Sequence, residues 1–337
     1  MRPFAYERVG SAEDAVARHR ESNGDGEVRY LGGGTNLVDL MRLGVEEPRR
    51  LVDVAHLPFD TIVEEPGGGL VIGSAVRNSD LAAHRAVRER FPMLAQAVLS
   101  GASGQIRNLA TVGGNLLQRT RCSYFQNVSK PCNKREPGTG CPAREGDHAN
   151  LAILGHSPDC VATHPSDMAV ALAALDARVR VMGRLGDRVI PLVGQETTSL
   201  YRLPGTEPHR DTTLDPGDLI TGVEVPPLTM PARYRKVRER ASFAFALVSV
   251  AAALEMADGT ILDCRVALGG VAHQPWRARR AEDRLRGSAA TERTFLQAAE
   301  AELEEAEPLR DNAYKVKLAR NLMVRTLAEL TTHGGTA

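Results

Sequence analysis

Four of the chain's five cysteines, Cys122, Cys132, Cys141 and Cys160, fall in one irregular stretch with the spacing C-x9-C-x8-C-x18-C. Thiolates are ligands for zinc and for iron–sulfur clusters. The stretch has no C-x2-4-C pair of the kind zinc ribbons bring, and no bacterial ferredoxin run. Wide spacing on an irregular loop suits a cluster that organises the loop around itself. Basic residues surround the thiols, namely Arg119, Arg121, Lys130, Lys134, Arg135 and Arg144. Cations beside a thiolate-held four-iron cube would offset its negative charge and raise its potential. On residue types alone three readings stay open. They are such a cluster, a solvated basic loop with unpaired thiols, and a zinc site drawing on His148, His156 or His164. The fifth cysteine, Cys264, sits in an apolar strand pattern and is expected to be an inert core residue.

A second kind of chemistry is carried by two glycine loops. "LGGGTNL" contains Gly32, Gly33, Gly34, Thr35 and Asn36, and "ATVGGNL" contains Thr111, Gly113, Gly114 and Asn115. Glycine lets a backbone turn tightly and bring its N–H groups against an anion, and a threonine hydroxyl adds a donor. Neither loop spells the dinucleotide fingerprint G-x-G-x-x-G, and no Gly-Lys-Ser/Thr follows to make a P-loop. One loop alone would read as a tight turn. Two of matching composition, each close to a predicted strand, could grip a diphosphate from both sides.

The elements that must position these residues follow from periodicity. "SAEDAVARHRES" reads as a helix capped by Ser11. "EVRYL" is a short strand running into the first glycine loop, and "RLVDV" and "LVIGSAV" are strands joined by "EPGGG". "NSDLAAHRAVRERF" and "PMLAQAVLSGAS" have helical periods. Residues 119–160 show neither period, and so long an irregular stretch in a compact domain is functional or disordered. Beyond it, "HPSDMAVALAALDARVRV" reads as helix then strand, and "DRVIPL" and "GDLITGVEVP" as strands. Pro226 and Pro227 mark the domain boundary. Past them "ARYRKVR", "ALVSVAAALEM" and "TILDCRVALGG" are strands, the last two joined by the hairpin signal "ADGT". Two amphipathic helices end the chain, so its last third is expected to be an antiparallel sheet with helices on one face.

The 337 residues hold 42 basic and 42 acidic side chains, so charge gives no reason to expect nucleic acid or an anionic membrane as a partner. No apolar run is long enough to span a bilayer, and the first residues carry neither a secretory apolar core nor a twin-arginine start. An odd number of cysteines argues against a complete disulfide framework. No Ser-His-Asp set or carboxylate pair points to hydrolysis.

Taken together, "LGGGTNL", "QIRNLATVGGNLLQRTRC", "PCNKREPGTGC", "HANLAILG", "HPSDMAVALAALDA" and "KVRERASFAFALVSVAAAL" resemble the FAD-binding medium subunits of the xanthine dehydrogenase, or molybdenum hydroxylase, family. The likeness is greatest to the subgroup with an extra iron–sulfur cluster, the flavin subunits of bacterial periplasmic aldehyde oxidoreductases. It spans nearly the whole chain, and the cysteine insertion is its most specific part. It implies an α+β fold. Residues 1–226 would form a PCMH, or vanillyl-alcohol-oxidase-type, FAD-binding domain with the insertion at 119–160. Residues 231–333 would form a small α+β domain like that of CO dehydrogenase flavoproteins. It implies that Gly32 to Asn36 and Thr111 to Asn115 hold the FAD pyrophosphate, and that Asp167 and Lys236 approach the flavin or its ribityl chain. Asp167 would also stand where a helix N-cap is needed. Cys122, Cys132, Cys141 and Cys160 match the ligands of a [4Fe–4S] cluster.

The resemblance further implies an electron-transfer role rather than oxidation of the organic substrate. The partners would be a large molybdenum-cofactor subunit and a small subunit with two [2Fe–2S] clusters, as a heterotrimer or a dimer of heterotrimers, with an external electron acceptor. The location would be cytoplasmic, or periplasmic by co-export with a signal-bearing partner. Two alternatives belong to other classes. One is a self-sufficient PCMH-type flavin oxidoreductase with its own substrate pocket. The other is a zinc-stabilised binding module, which leaves both glycine loops unexplained.

Overall fold

The computed structural model describes residues 1–20, 27–184, 186–195 and 197–333. Its first sheet is parallel, with β1 (Ala5–Arg8), β2 (Val28–Leu31) and β3 (Arg50–Asp53) in the order β1-β3-β2. Leu31 pairs with Asp53 at the carboxyl end of this sheet, so β2 delivers the first glycine loop at the strand ends, where parallel sheets present their ligand sites. Helix α1 (Ala12–Arg20) packs Ala12, Ala15 and Val16 with Val28, Val52 and Leu57. Its start is as expected, with Ser11 Oγ accepting from Asp14 N at 3.1 Å. Glu21 and Ser22, the last residues of the expected helix, lie outside the described residues.

The second sheet is antiparallel. It contains β4 (Ile62–Glu64), β5 (Leu70–Gly73), β6 (Arg178–Gly183), β7 (Gly186–Pro191) and β8 (Leu219–Val225) in the order β4-β5-β8-β6-β7. Here one sequence expectation is corrected. "EPGGG" does not join "RLVDV" to "LVIGSAV". It closes the β4–β5 hairpin, and "RLVDV" belongs to the first sheet as β3. Strand β4 is three residues long and largely exposed, so it leaves no period in the sequence.

The third sheet holds β9 (Ala232–Val237), β10 (Val248–Ala257), β11 (Thr260–Gly269) and β12 (Trp276–Arg277) in the order β12-β11-β10-β9. The β10–β11 turn is the expected hairpin. Asp258 and Gly259 have φ of 50° and 75°, the left-handed pair that a two-residue turn demands.

Short helices fill the spaces between sheets. They are α2 (Leu37–Arg42), α3 (Asn78–Ala83), α4 (Arg85–Arg90), α5 (Pro92–Ser100), α6 (Gly104–Arg107), α7 (Val112–Leu116) and α8 (Ser123–Gln126). The expected single helix over 78–91 is two, because His84 leaves the helical region at ψ 130°. Helix α9 (Asp167–Ala174) is buried over all eight residues. Its apolar run serves a helix enclosed on every side.

The last helices, α10 (Arg279–Leu285), α11 (Glu292–Leu303) and α12 (Tyr314–His333), cover one face of the third sheet. Phe295, Leu303, Met323 and Leu327 there meet Val248, Val250, Leu254 and Val266. The opposite face is also covered. Ala251, Ala253 and Ala267 belong to the core built by α5 and α9, and their small side chains let those helices pack closely. Burial on both faces explains why β10 reads as a continuous apolar run rather than an alternation. Among the described residues no helix is long and apolar enough to cross a membrane.

Candidate functional site

The two glycine loops meet backbone against backbone. A Cβ on Gly33 would stand 1.9 Å from Leu109 O, and one on Gly32 would stand 2.8 Å from Thr111 Oγ1. Only glycine fits at Gly33, because the obstacle is main chain. Gly34 takes φ +72°, and Val38 N bonds its carbonyl to start α2. In the second loop Thr111 Oγ1 accepts from Gly114 N at 3.2 Å, and Gly113 N bonds Ser74 O at 2.8 Å. The Arg77–Thr111 bridge fixes the loop beside the end of β5.

Gly32, Gly33, Gly34, Thr35, Asn36, Thr111, Gly113 and Gly114 line one cavity of about 740 Å³. That size lies within the ~300–1,000 Å³ of ligand clefts. Asn36 Oδ1 accepts from Arg119 N at 2.9 Å, while its Nδ2 is buried with no partner within the chain. A ligand oxygen would satisfy that donor. A dinucleotide therefore fits the residues present: a cradle that only glycine permits, an orphaned donor, and room.

Three expected site residues stand off the cavity lining. Asn115 Oδ1 accepts from Ser166 Oγ at 2.5 Å and from Gln118 Nε2 at 3.0 Å. Ser166, not Asp167, is the N-cap of α9, accepting from Ala169 N at 3.0 Å. Asp167 is the first residue of the helix and pairs with Lys236 Nζ at 2.7 Å. Both side chains are buried, and Lys236 also donates to Ser100 O at 3.1 Å while Tyr234 OH donates to Asp167. The pair fastens α9 to β9, and Ser166 connects it to the second glycine loop.

Periodicity could not find the charged wall of the cavity. Arg119 donates to Glu46 at 2.7 Å and to Asp211 at 2.9 Å, and all three line the cavity. Lys134 Nζ reaches Asp211 at 2.5 Å, Pro208 O at 2.8 Å and His273 Nε2 at 2.5 Å. Burial raises the Asp211 carboxyl, but Lys134 and Arg119 outweigh it and hold the group well below the usual carboxylate range. Burial and then Lys134 push His273 down to about 3. The imidazole is thus neutral at pH 7, with Nδ1–H donating to Arg202 O and Nε2 accepting from Lys134.

The four cysteines of the insertion converge. Cys122, Cys132, Cys141 and Cys160 line one small pocket of about 10 Å³ together with Lys134, Phe125 and Asp159. Burial raises the thiols of Cys122 and Cys141 and lifts that of Cys160 to about 12. Backbone N–H groups act the other way, from Tyr124 and Phe125 on Cys122, from Val161, Ala143 and Arg144 on Cys141, and from Ala162 on Cys160. Donors aimed at sulfur favour its anionic form, the form that binds metal. Among the described residues no group of three or more His, Cys, Asp or Glu is disposed to hold a metal ion. His148 is bonded to Ala143 O and Asp311 N, and His156 to Glu307 O, while His164 lines the large cavity. Much of the basic shell serves the loop itself. Arg135 holds the carbonyls of Tyr124, Phe125 and Lys130, and Arg144 that of Ser157. Cys264 is fully buried in the core of the third sheet, as expected.

Comparison with known proteins agrees with this geometry. Residues 2–228 match the family model of the FAD binding domain in molybdopterin dehydrogenase, and residues 232–330 that of the CO dehydrogenase flavoprotein C-terminal domain. The chain is 47% identical over 332 residues to the aldehyde oxidoreductase FAD-binding subunit PaoB of Escherichia coli (strain K12), covering 98% of each. It is 26% identical over 330 residues to the carbon monoxide dehydrogenase medium chain of Hydrogenophaga pseudoflava, covering 96% of each. A solved carbon monoxide dehydrogenase of Hydrogenophaga pseudoflava superposes with a TM-score of 0.75 at 24% identity over 98% of each chain, a likeness of fold. On the two family matches and the relative of near-equal length, this chain belongs to the FAD-binding medium subunits of the molybdenum hydroxylase family.

Proposed function

We propose that the chain is the electron-transferring flavin subunit of a molybdenum-dependent hydroxylase of the aldehyde oxidoreductase or xanthine dehydrogenase type. It would take electrons arriving through iron–sulfur clusters and pass them by way of FAD to an external acceptor. The observation that carries this reading is the meeting of the two glycine loops across one cavity, with Gly33 against Leu109 O. On this reading residues 1–226 form the FAD-binding domain, with the cysteine insertion at 119–160, and residues 231–333 form the C-terminal domain.

Bound FAD supplies a two-electron store that can be filled one electron at a time. The chain's own residues bind and orient it. Gly32 to Asn36 present backbone N–H groups, the Asn36 amide and the Thr35 hydroxyl to the diphosphate. The second loop, whose Val112, Gly113 and Gly114 N–H groups are bonded within the chain, adds the Thr111 hydroxyl and glycines that leave room for it. Asn115, Asp167 and Lys236 back the second loop through Ser166 and keep it in place. Cys122, Cys132, Cys141 and Cys160 hold a [4Fe–4S] cluster. What supports this is their convergence on one pocket and the N–H donors around their sulfurs. The partners are a large molybdenum-cofactor subunit and a small subunit carrying two [2Fe–2S] clusters. The relatives' names, FAD-binding subunit and medium chain, support such an assembly. The complex works in the cytoplasm, or in the periplasm if a partner bears the export signal.

Anaerobic absorbance tests the assignment. An aldehyde or purine is expected to bleach the flavin only when the partner subunits are present. Direct bleaching in the isolated chain would overturn it in favour of a self-sufficient flavin oxidoreductase.

A further inference from the structure

We infer that Lys134 is a positioning residue that ties the cysteine pocket to the wall of the flavin cavity, so that the hold on FAD depends on an intact cysteine pocket. The inference rests on the assignment of FAD to the cavity and of the cluster to the cysteines. Lys134 lies between Cys132 and Cys141 in the chain and lines the cysteine pocket. Its side chain is 1% exposed. An ammonium has three donors, and all three are used, on Asp211, Pro208 O and His273 Nε2. A buried cation requires such partners, so the contacts hold Lys134 in place as firmly as it holds them.

The partners lie on the other site. Asp211 lines the large cavity, as do His209 and Arg210 beside it. This segment forms neither helix nor strand beyond a single Tyr201–Thr212 bridge, so side-chain ties do much of the work of placing it. The second oxygen of Asp211 takes Arg119 Nε, and the Arg119 backbone N–H bonds Asn36 in the first glycine loop. The path is continuous: cysteine pocket, Lys134, Asp211, Arg119, Asn36. Lys134 belongs to the lining of the cysteine pocket, and each later link is a hydrogen bond or ion pair between residues distant in sequence. A change in the cysteine pocket that moves Lys134 therefore moves the cavity wall and the loop that faces the diphosphate.

The test uses the full chain in the complex in which it is expressed. Lys134→Met and the isosteric Asp211→Asn are compared with wild type for FAD dissociation constant, iron content and thermal midpoint. Each substitution is expected to weaken FAD binding about tenfold or more, and the double variant to add little to the larger single effect. Stripping iron from wild type with a chelator is expected to weaken FAD binding by a similar factor. Lys134→Met protein is expected to show no further loss on stripping. Lys315→Met, which removes a buried amine bonded only to backbone carbonyls, serves as the control that lowers the thermal midpoint without changing FAD binding. FAD affinity unchanged in both variants, or unchanged in wild type after stripping, overturns the inference. Failure of the underlying assignment looks different. Wild type unable to bind FAD overturns both. Wild type with neither iron nor sulfide removes the cluster and leaves the two variants to decide the tie.

Discussion

The close approach of the two glycine loops makes Gly33→Ala the most informative single substitution. The new methyl carbon would stand 1.9 Å from Leu109 O, 2.5 Å from Leu109 C and 3.1 Å from Ala110 Cα. Ordinary contact between heavy atoms lies near 3.5 Å, so the shortfall at Leu109 O is about 1.5 Å. The obstacle is backbone, and no rotamer change relieves it. The loops must separate, at a cost of about 1–3 kcal/mol or more by the measure of overpacked cores. Separation also widens the gap in which a diphosphate would be gripped from both sides, so FAD affinity is expected to fall by about 5-fold to 150-fold for the same energy. Gly113→Ala is a graded companion, because its Cβ would meet Ser74 Cβ at 3.0 Å. Gly67→Ala is the control, with nothing within 4 Å. The assay is FAD fluorescence on dilution, with the thermal midpoint of the cofactor-free protein measured in parallel. We expect the order Gly33, then Gly113, then Gly67. Gly33→Ala protein that binds FAD within about threefold of Gly67→Ala would refute the reasoning, since about 0.7 kcal/mol cannot contain such an overlap.

Two further predictions concern buried charges. Lys236→Met leaves Asp167 buried without its cation, which is expected to cost about 3–5 kcal/mol and lower the thermal midpoint. Restoring neutrality with Asp167→Asn in the same chain is expected to recover part of that loss, and a double variant no better than the single would contradict the pairing. Lys315 is pushed down to about 7 by burial, below its ordinary 10.5. Because the folded state gives up that proton more readily, stability is lowest below pH 7 and rises as pH climbs toward 10.5. Thermal midpoints against pH are expected to follow this slope in wild type and to flatten in Lys315→Met. Equal slopes would show that Lys315 stays protonated throughout.

What could be read from the sequence follows from how local each signal is. The glycine loops and the cysteine insertion are compact strings whose residue types restrict their chemistry, and the structure brings each set together. The third sheet was legible because "ADGT" requires a left-handed turn and the flanking apolar runs require burial. Strand β4 escaped because three largely exposed residues carry no period. The break at His84 has no marker in the surrounding residues. The pairing among Glu46, Arg119, Lys134, Asp211 and His273 is beyond reach for another reason: ion pairs between residues far apart in the chain have no spacing rule. Asp167 and Lys236 stand out in their own segments, yet nothing in either segment states that they pair with each other. Lys134 is one of six cations around the cysteines in the sequence, while its burial against Asp211 depends on the tertiary fold alone.

The central claim, that one chain holds a flavin and an iron–sulfur cluster, is tested most directly by its cofactor content. Protein purified without oxygen, preferably with its partners, would be analysed for FAD, iron, zinc and acid-labile sulfide. After subtraction of the partners' share we expect about one FAD, about four irons and about four sulfides per copy of this chain. Cys122→Ser and Cys160→Ser are expected to remove the iron and sulfide, and Cys264→Ser to leave them. FAD without iron would contradict the cluster, and zinc without FAD would contradict the whole reading.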